Sequence, residues 1–544
     1  MPGPAAEPGR LPIVIGVTGH RDLRPADQAA YRARARELFA DLQRRYPHTP
    51  LRVISALAEG ADRLVAEVAL EEGHDLVVPL PFEQAEYERD FPDSVPQFRA
   101  LLAQVPADQV FVVAPAAGRD AGYRPPADVP RDAHYAAAGA YVATRSHILL
   151  AIWDGVTVPA SAGTGMVVGL KLAGDDGGPV YHVRACRAGG TDHEAGRASW
   201  LYPPSVGRDS LDSMCMRLDR FNGDPVRRRI VPRAAQAAVE LLPEIAERPA
   251  GDRRLAAAFG YADHLANHYR RVTHAVLRTV LLLAAGLALT FEVYAEIYPA
   301  RSVPALYLAI FASITLLYHW QKSKDAQGRY LDYRAVAEGL RVQFYWHVAG
   351  LPEQVCASYL RKQLDELRWI REALRGAGAI PPTAALAPQR VLSLWIHGQT
   401  EYYRSRALRQ ERRLHRLERA SALLLATGLA ATFSLVALWH FYERAERLHH
   451  WVVLIMGFAP IAAALCEAYG EKFGLRTQAN QYARFAAVFG RAEQLLERLS
   501  GEPPTASRQA AELELLRDLG REALMENGDW VLLLRERPIV LPKG

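Results

Sequence analysis

Three uncharged apolar stretches, 302–321, 420–442 and 449–466, stand out in the second half of this 544-residue chain. Each is close to the roughly 20 residues that carry an α-helix across a hydrocarbon core. A fourth, 275–297, has LLLAAGLALTF at its centre, with Arg278 near one end and Glu292 near the other, where long side chains can snorkel to the interface. Four membrane-spanning helices are therefore expected, in preference to four buried helices of a water-soluble core. Lipid leaves few other solutions, because every backbone N–H and C=O there has to be paired within the chain.

This half is internally repeated. Residues 281–291 read LLLAAGLALTF and residues 423–433, 142 positions later, read LLLATGLAATF, identical at nine of eleven positions. YADHLANHYRR precedes the first pair of spans and EYYRSRALRQERRLHRLER the second, and a helix-like segment follows each pair, with Arg334 and Arg476 again 142 apart. The expected unit is helix, hairpin, helix, used twice, over 259–385 and 386–544, after a linker at 249–258. Basic residues cluster at one end of the spans (Arg270, Arg271, Lys322, Lys324, Arg412, Arg413, Arg416, Arg419, Lys472, Arg476), against Arg301, Arg444 and Arg447 at the hairpin tips. The positive-inside rule then puts both termini in the cytoplasm. Gly286, Ala288, Gly428 and Ala430 are expected to let helices pack closely. Glu292 is read as interfacial, with an aqueous path as the alternative, and His449 and His450 as interfacial tip residues.

From residue 12 onward the pattern changes to short apolar runs, Gly-containing turns and amphipathic helices, which predicts an α/β domain with a parallel sheet over 1–248. Strands are expected at 13–17, 52–55, 75–79, 110–114, 147–153 and 180–183, with an appended helix pair from MCMRLDRFNGD and AAQAAVELLPEIAE. The first residues, MPGPAAEPGR, hold no apolar run of signal-peptide length, so this domain is expected to stay in the cytoplasm. A net charge of +5 without a basic, aromatic-rich stripe argues against binding a nucleic-acid polymer. Cys186, Cys215, Cys356 and Cys466 show no CxxC or Cys/His spacing, so no metal site and no disulfide framework are expected.

Ligands of parallel sheets bind beyond the C-terminal ends of the strands. Three loops there are informative. TGHRD follows the first strand and offers Thr18, Gly19, His20 and Arg21; SALAEGADRLVAEVAL follows the second, with Ser55, Gly60, Ala61 and Asp62 at a helix start. WDGVTVPASAGTGMVV follows the fifth, with Gly155, Gly163, Thr164 and Gly165. Free N–H groups at helix starts attract anions, so together these twelve residues describe a phosphate and ribose cradle. Asp62 has a competing reading as a simple helix cap.

TGHRD, ISALAEGADRLVAEVAL, PLPFEQAEYERDF and YVATRSHILLAIWDG with GTG, in this order, resemble the SLOG superfamily of Rossmann-like domains, over residues 11–183. Related members include the Lonely Guy phosphoribohydrolases, DNA-processing protein A and nucleotide sensors of bacterial conflict systems. The C-terminal half is similar to the SLATT class of membrane modules, here as a tandem pair. The resemblance implies a Rossmann-like doubly wound sheet, a nucleotide-derived ligand on Gly19, His20, Arg21, Gly60, Ala61, Asp62, Gly163, Thr164 and Gly165, no other cofactor, and a homo-oligomer in the bacterial cytoplasmic membrane. The enzymatic branch carries PGGxGT with a catalytic Glu soon after; this chain has SAGTG followed by Met166, Val167 and Val168. The expected function is therefore a membrane effector gated by a nucleotide second messenger, in antiphage defence. The alternatives are a membrane-anchored nucleotide-processing enzyme, with Glu83, Glu86 or Glu88 as a source of a carboxylate, and a nucleotide-gated ion channel related to melastatin-type channels.

Overall fold

The computed structural model describes residues 9–115, 130–156, 163–173, 177–191, 193–204, 207–360, 367–382 and 384–535. Strands are β1 (Ile13–Gly19), β2 (Leu51–Ile54), β3 (Asp75–Leu80), β4 (Val110–Val112), β5 (Ile148–Trp153), β6 (Val180–Arg184) and β7 (Ala198–Leu201). The helices interleaved with and following them are α1 (Gln28–Arg45), α2 (Ala61–Glu71), α3 (Gln84–Tyr87), α4 (Val95–Leu102), α5 (Arg131–Arg145), α6 (Thr164–Leu172), α7 (Arg208–Asn222) and α8 (Arg227–Leu241). The remainder is helical: α9 (Ala250–Glu296), α10 (Ser302–Lys324), α11 (Ala326–Val348), α12 (Arg368–Ala377), α13 (Pro388–Ala437), α14 (Trp439–Arg444), α15 (Glu446–Lys472), α16 (Leu475–Ser500) and α17 (Ala506–Arg535). The chain divides into two compact units, one of Met1–Asp263, Val336–Val391 and Pro504–Leu524, the other of His264–Ala335, Leu392–Pro503 and Met525–Gly544.

The first unit holds one seven-stranded sheet in the order β4-β3-β2-β1-β5-β6-β7. Neighbouring strands are parallel except β6 and β7, which pair antiparallel with Val180 opposite Leu201. All six strands expected from the sequence are present; β7, a short edge strand, was not anticipated. The central strands are continuous apolar runs because a parallel strand buried on both faces has no polar side: ILLAIW of β5 is buried throughout. Val14, Ile54, Val77, Leu149 and Ala151 pack with Val142 and Ala143 of α5 and Val167 and Val168 of α6. Each of the Val, Ile and Leu side chains stabilises the fold by about 1.5–3 kcal/mol. The appended helix pair is present as α7 and α8, and residues 250–258 are the first turns of α9.

One end of this sheet is closed by the segment around α12. His147, immediately before β5, accepts the Val14 N–H of β1 at Nδ1 (2.8 Å), and its Nε2 lies 2.7 Å from the Glu372 carbonyl oxygen, so the neutral ring is protonated at Nε2. Arg375 donates to the Glu372 carboxylate (2.9 Å) and to the Thr144 carbonyl (2.5 Å). Burial pushes His147 down to about 4.

Four helical segments, Ala250–Glu296, Ser302–Val348, Pro388–Ala437 and Glu446–Ser500, each with most of its residues in the second unit, are long and apolar enough to cross a membrane, by length and composition. Their most apolar windows are only 17%, 6%, 17% and 17% buried, so these helices leave most of that surface uncovered by the rest of the chain. Leu282, Phe433 and Val436 are among the large side chains left exposed. Where the helices do meet, small residues allow it: a Cβ on Gly428 would sit 3.2 Å from the Pro460 ring, and one on Gly457 only 2.5 Å from Oε1 of Glu292. Glu292 is half-buried. At the tips, His449 meets Trp439 and Tyr442 edge-on, and His450 lies 3.8 Å from Glu296.

Because His147 stays neutral in the fold but titrates near 6.5 when unfolded, the folded state binds fewer protons, and stability is lost as pH falls from about 6.5 toward about 4. His74, buried and also pushed down to about 4, adds to the same limb. Thermal unfolding of the full chain in detergent is expected to show His147→Gln flattening that limb by up to about 3 kcal/mol relative to wild type. An unchanged slope would show that His147 does not carry it.

Candidate functional site

The sheet grows outward from β1 through β2, β3 and β4, then returns to the other side of β1 as β5. At such a switch point the loops after the two adjacent strands run apart and leave a crevice at their C-terminal ends. A cavity of about 390 Å³ lies there, walled by residues 17–22 at and beyond the end of β1, by Trp153 and Val156 at and beyond the end of β5, and by the start of α6.

Of the twelve residues singled out in the sequence, Thr18, Gly19, His20, Arg21, Asp62, Gly163, Thr164 and Gly165 line this cavity. Ser55, Gly60, Ala61 and Gly155 are not on its wall. Three of these four brace the loops instead. Ser55 is fully buried; its hydroxyl donates to the Asp62 carbonyl (3.1 Å) and accepts the Leu57 N–H (3.2 Å), supporting Leu57 at φ 55°. Gly60 has φ +78°, and a Cβ there would lie 2.4 Å from the carbonyl oxygens of His20 and Arg21. Ala61 donates its N–H to the His20 carbonyl (3.1 Å) and leaves room at its methyl for Gly19 alone, whose added Cβ would come within 2.3 Å. Gly155 has φ +85° and only the His182 ring near it.

Asp62 does not cap α2; no side-chain cap bond is made at that helix start. Asp62 is 7% exposed, and burial pushes its carboxyl up to about 7 against the opposing effects of Arg21, the Ala58 N–H and Arg63. Arg21 lies over the Tyr135 ring, 4.9 Å from its centroid. His20 accepts the Asp154 N–H at Nε2 (3.1 Å), and Arg187 reaches the Asp154 carboxylate at 3.0 Å, so the loop after β5 is tied to those after β1 and β6. On the opposite wall α6 begins at Gly163, where an added Cβ would meet nothing within 4 Å. Its first intrahelical bond runs from the Val167 N–H to the Gly163 carbonyl, leaving the N–H groups of Thr164, Gly165 and Met166 at the open helix start.

Sequence reasoning missed several wall residues: Asp22, Tyr87, Tyr135, Trp153 and Arg187. Tyr87 sits in the quoted PFEQAEYERDF motif, where attention to its acidic residues hid the aromatic. Its hydroxyl is buried without a hydrogen-bond partner among the described residues, and burial raises its pKa. The acidic residues of that motif lie off the cavity wall: Glu86 pairs with Arg131, and Arg99 with Gln84 holds Glu88 down to about 2. Arg187 follows β6, a strand whose outgoing loop was not considered. Among the described residues the site thus combines two guanidinium groups, a helix start with N–H groups left over, a phenol without a hydrogen-bond partner and a carboxyl near neutrality. No cluster of His, Cys, Asp and Glu fit to hold a metal occurs among the described residues, and all four cysteines are free thiols.

Gly60→Ala is expected to cost more stability than Gly73→Ala. Both have positive φ (+78° and +75°), worth about 1–3 kcal/mol of strain, but an added Cβ at Gly73 meets nothing within 4 Å. Equal losses in thermal unfolding would show that the close approach at Gly60 is easily relieved.

No family model matches this chain, and no curated protein or solved structure matches it.

Proposed function

We propose that this protein is a membrane effector gated by a nucleotide-derived messenger: the α/β unit binds the ligand, and occupancy changes the packing or oligomeric state of the helical unit so that the membrane leaks. The observation that carries the proposal is the switch-point cavity, with Arg21, Arg187 and the start of α6 on one chain with four helices long and apolar enough to cross a membrane. Guanidinium groups and free helix N–H groups suit phosphate oxygens, and Tyr135 and Trp153 offer faces for a base. The resemblance of the four loop motifs to SLOG domains, and of the apolar half to tandem SLATT hairpins, supports the same division of labour and a setting in antiphage defence. In this reading the chain sits in the bacterial cytoplasmic membrane as a homo-oligomer with both termini inside, as the distribution of Lys and Arg supports.

A second reading is favoured by one observation. A carboxyl held near 7 inside a cavity is suited to general acid or base work, so Asp62 supports a nucleotide-processing enzyme tethered to the membrane.

Titrating the full-length protein with nucleoside monophosphates, cyclic oligonucleotides and ADP-ribose, while following product formation, separates the two. Saturable binding without turnover is expected, lost at least about tenfold in Arg21→Ala and Gly165→Val while membrane insertion persists. Binding should tighten as pH falls through about 7, where Asp62 loses its charge, and Asp62→Asn should remove that dependence. Turnover abolished by Asp62→Asn would establish the enzyme instead, and normal affinity in both other variants would place the ligand elsewhere.

A further inference from the structure

The second unit contains a different cavity, of about 630 Å³, with an unusual wall. Arg270, Arg271 and Arg278 enter it from α9, and Arg406, Arg409, Arg413 and Arg416 from α13. Tyr469 and Phe473, at the end of α15, and Gln478 of α16 complete it. Among the described residues none of the seven arginines forms an ion pair, and no carboxylate lines the cavity. Glu411, between Arg409 and Arg413 on α13, lies off the cavity wall, 4.0 Å from His415, and Glu418 lines a separate cavity and is paired there with Arg476 at 2.9 Å. The Nε of Arg406 is buried with no hydrogen-bond partner among the described residues.

Like charges gathered at short range without counter-charge repel one another, and a side chain on an open surface relieves that by turning to water. Here the guanidinium groups share one concave wall with an aromatic floor. His274 lies on the same wall. Position along the helices adds a second constraint: the arginines of α9 and α13 lie before or at the start of the apolar stretches, and Tyr469 and Phe473 just after the end of another, so the cavity lies at one end of those stretches.

We infer that this cavity is a binding site for a phosphate-bearing anion, supplied by the headgroup of an anionic phospholipid. Arginine matches phosphate oxygens in bidentate pairs, and basic pockets at the ends of membrane helices take such headgroups. The lipid source rests on reading these helices as membrane-embedded; the phosphate chemistry does not. The site is separate from the cavity of the α/β unit, and its occupancy links the helical packing of this unit to lipid composition.

The test uses the delipidated full-length protein in detergent, titrated with cardiolipin and with phosphatidylcholine by native mass spectrometry, and with pyrophosphate by calorimetry. Cardiolipin is expected to be retained at least about tenfold better than phosphatidylcholine, with that preference lost in Arg413→Glu. Arg412→Glu, one residue along the same helix and off the cavity wall, should keep it. Equal losses in the two variants would mean diffuse surface charge and overturn the site. Pyrophosphate binding abolished by Arg413→Glu, without any lipid preference, would keep the phosphate site and assign it a soluble ligand. Binding of neither probe overturns it. Incorporation into phosphatidylcholine nanodiscs tests the membrane reading by itself.

Discussion

The parallel pairing of β1 with both β2 and β5 is the constraint from which the cavity end of the α/β unit follows. Because Gly19 pairs with Ile152 at one strand's end while the chain leaves β1 toward β2, the loops after β1 and β5 have to separate, and no crossover helix can fill the space between them. The cavity is thus a product of topology rather than of loop length. Its precision comes from behind. Gly60 and Ala61 approach the His20 and Arg21 carbonyls, Ser55 and Arg63 hold Leu57 in a strained conformation, and His147 fixes β1 against β5 at the opposite end of the strands.

Much of this was legible in the residues. Central parallel strands write themselves as unbroken apolar runs, which is why β1, β5 and β6 are legible nearly to the residue, and three of the four apolar stretches announce themselves by length without charge. The short edge strand β7 carries no such run; ASWL follows a Gly-rich turn and is defined only by its pairing with β6. The part played by α12 was illegible for a different reason, since its contacts with Arg52, Thr144 and His147 join positions more than 200 residues apart. The rule that ligands gather at strand ends points to Thr18 to Arg21, Asp62 and Gly163 to Gly165, which line the cavity. It could not tell residues that face the cavity from residues that hold its loops, because both kinds are small or polar and sit in the same turns. Tyr87 and Tyr135 were passed over because an aromatic on an amphipathic segment reads first as core.

The two units present opposite surface chemistry. The α/β unit buries its apolar side chains inside one sheet-centred core and faces outward with ion pairs such as those of Arg32 with Glu67 and Arg99 with Glu88, worth little each but fully compatible with water. The helical unit leaves Leu282, Phe433 and Val436 uncovered and keeps nearly all of its charge outside its apolar stretches. Such a surface is costly in water and ordinary in lipid.

Coupling between the two chemistries is tested most directly by permeability. Proteoliposomes loaded with a self-quenched dye and reconstituted with the full-length protein would be exposed to nucleoside monophosphates, cyclic oligonucleotides and ADP-ribose in turn. Dye release is expected with one of these ligands, saturating with its concentration and absent in Arg21→Ala. Release that is the same with and without every ligand, or unaffected by Arg21→Ala, would contradict a nucleotide-gated membrane effector.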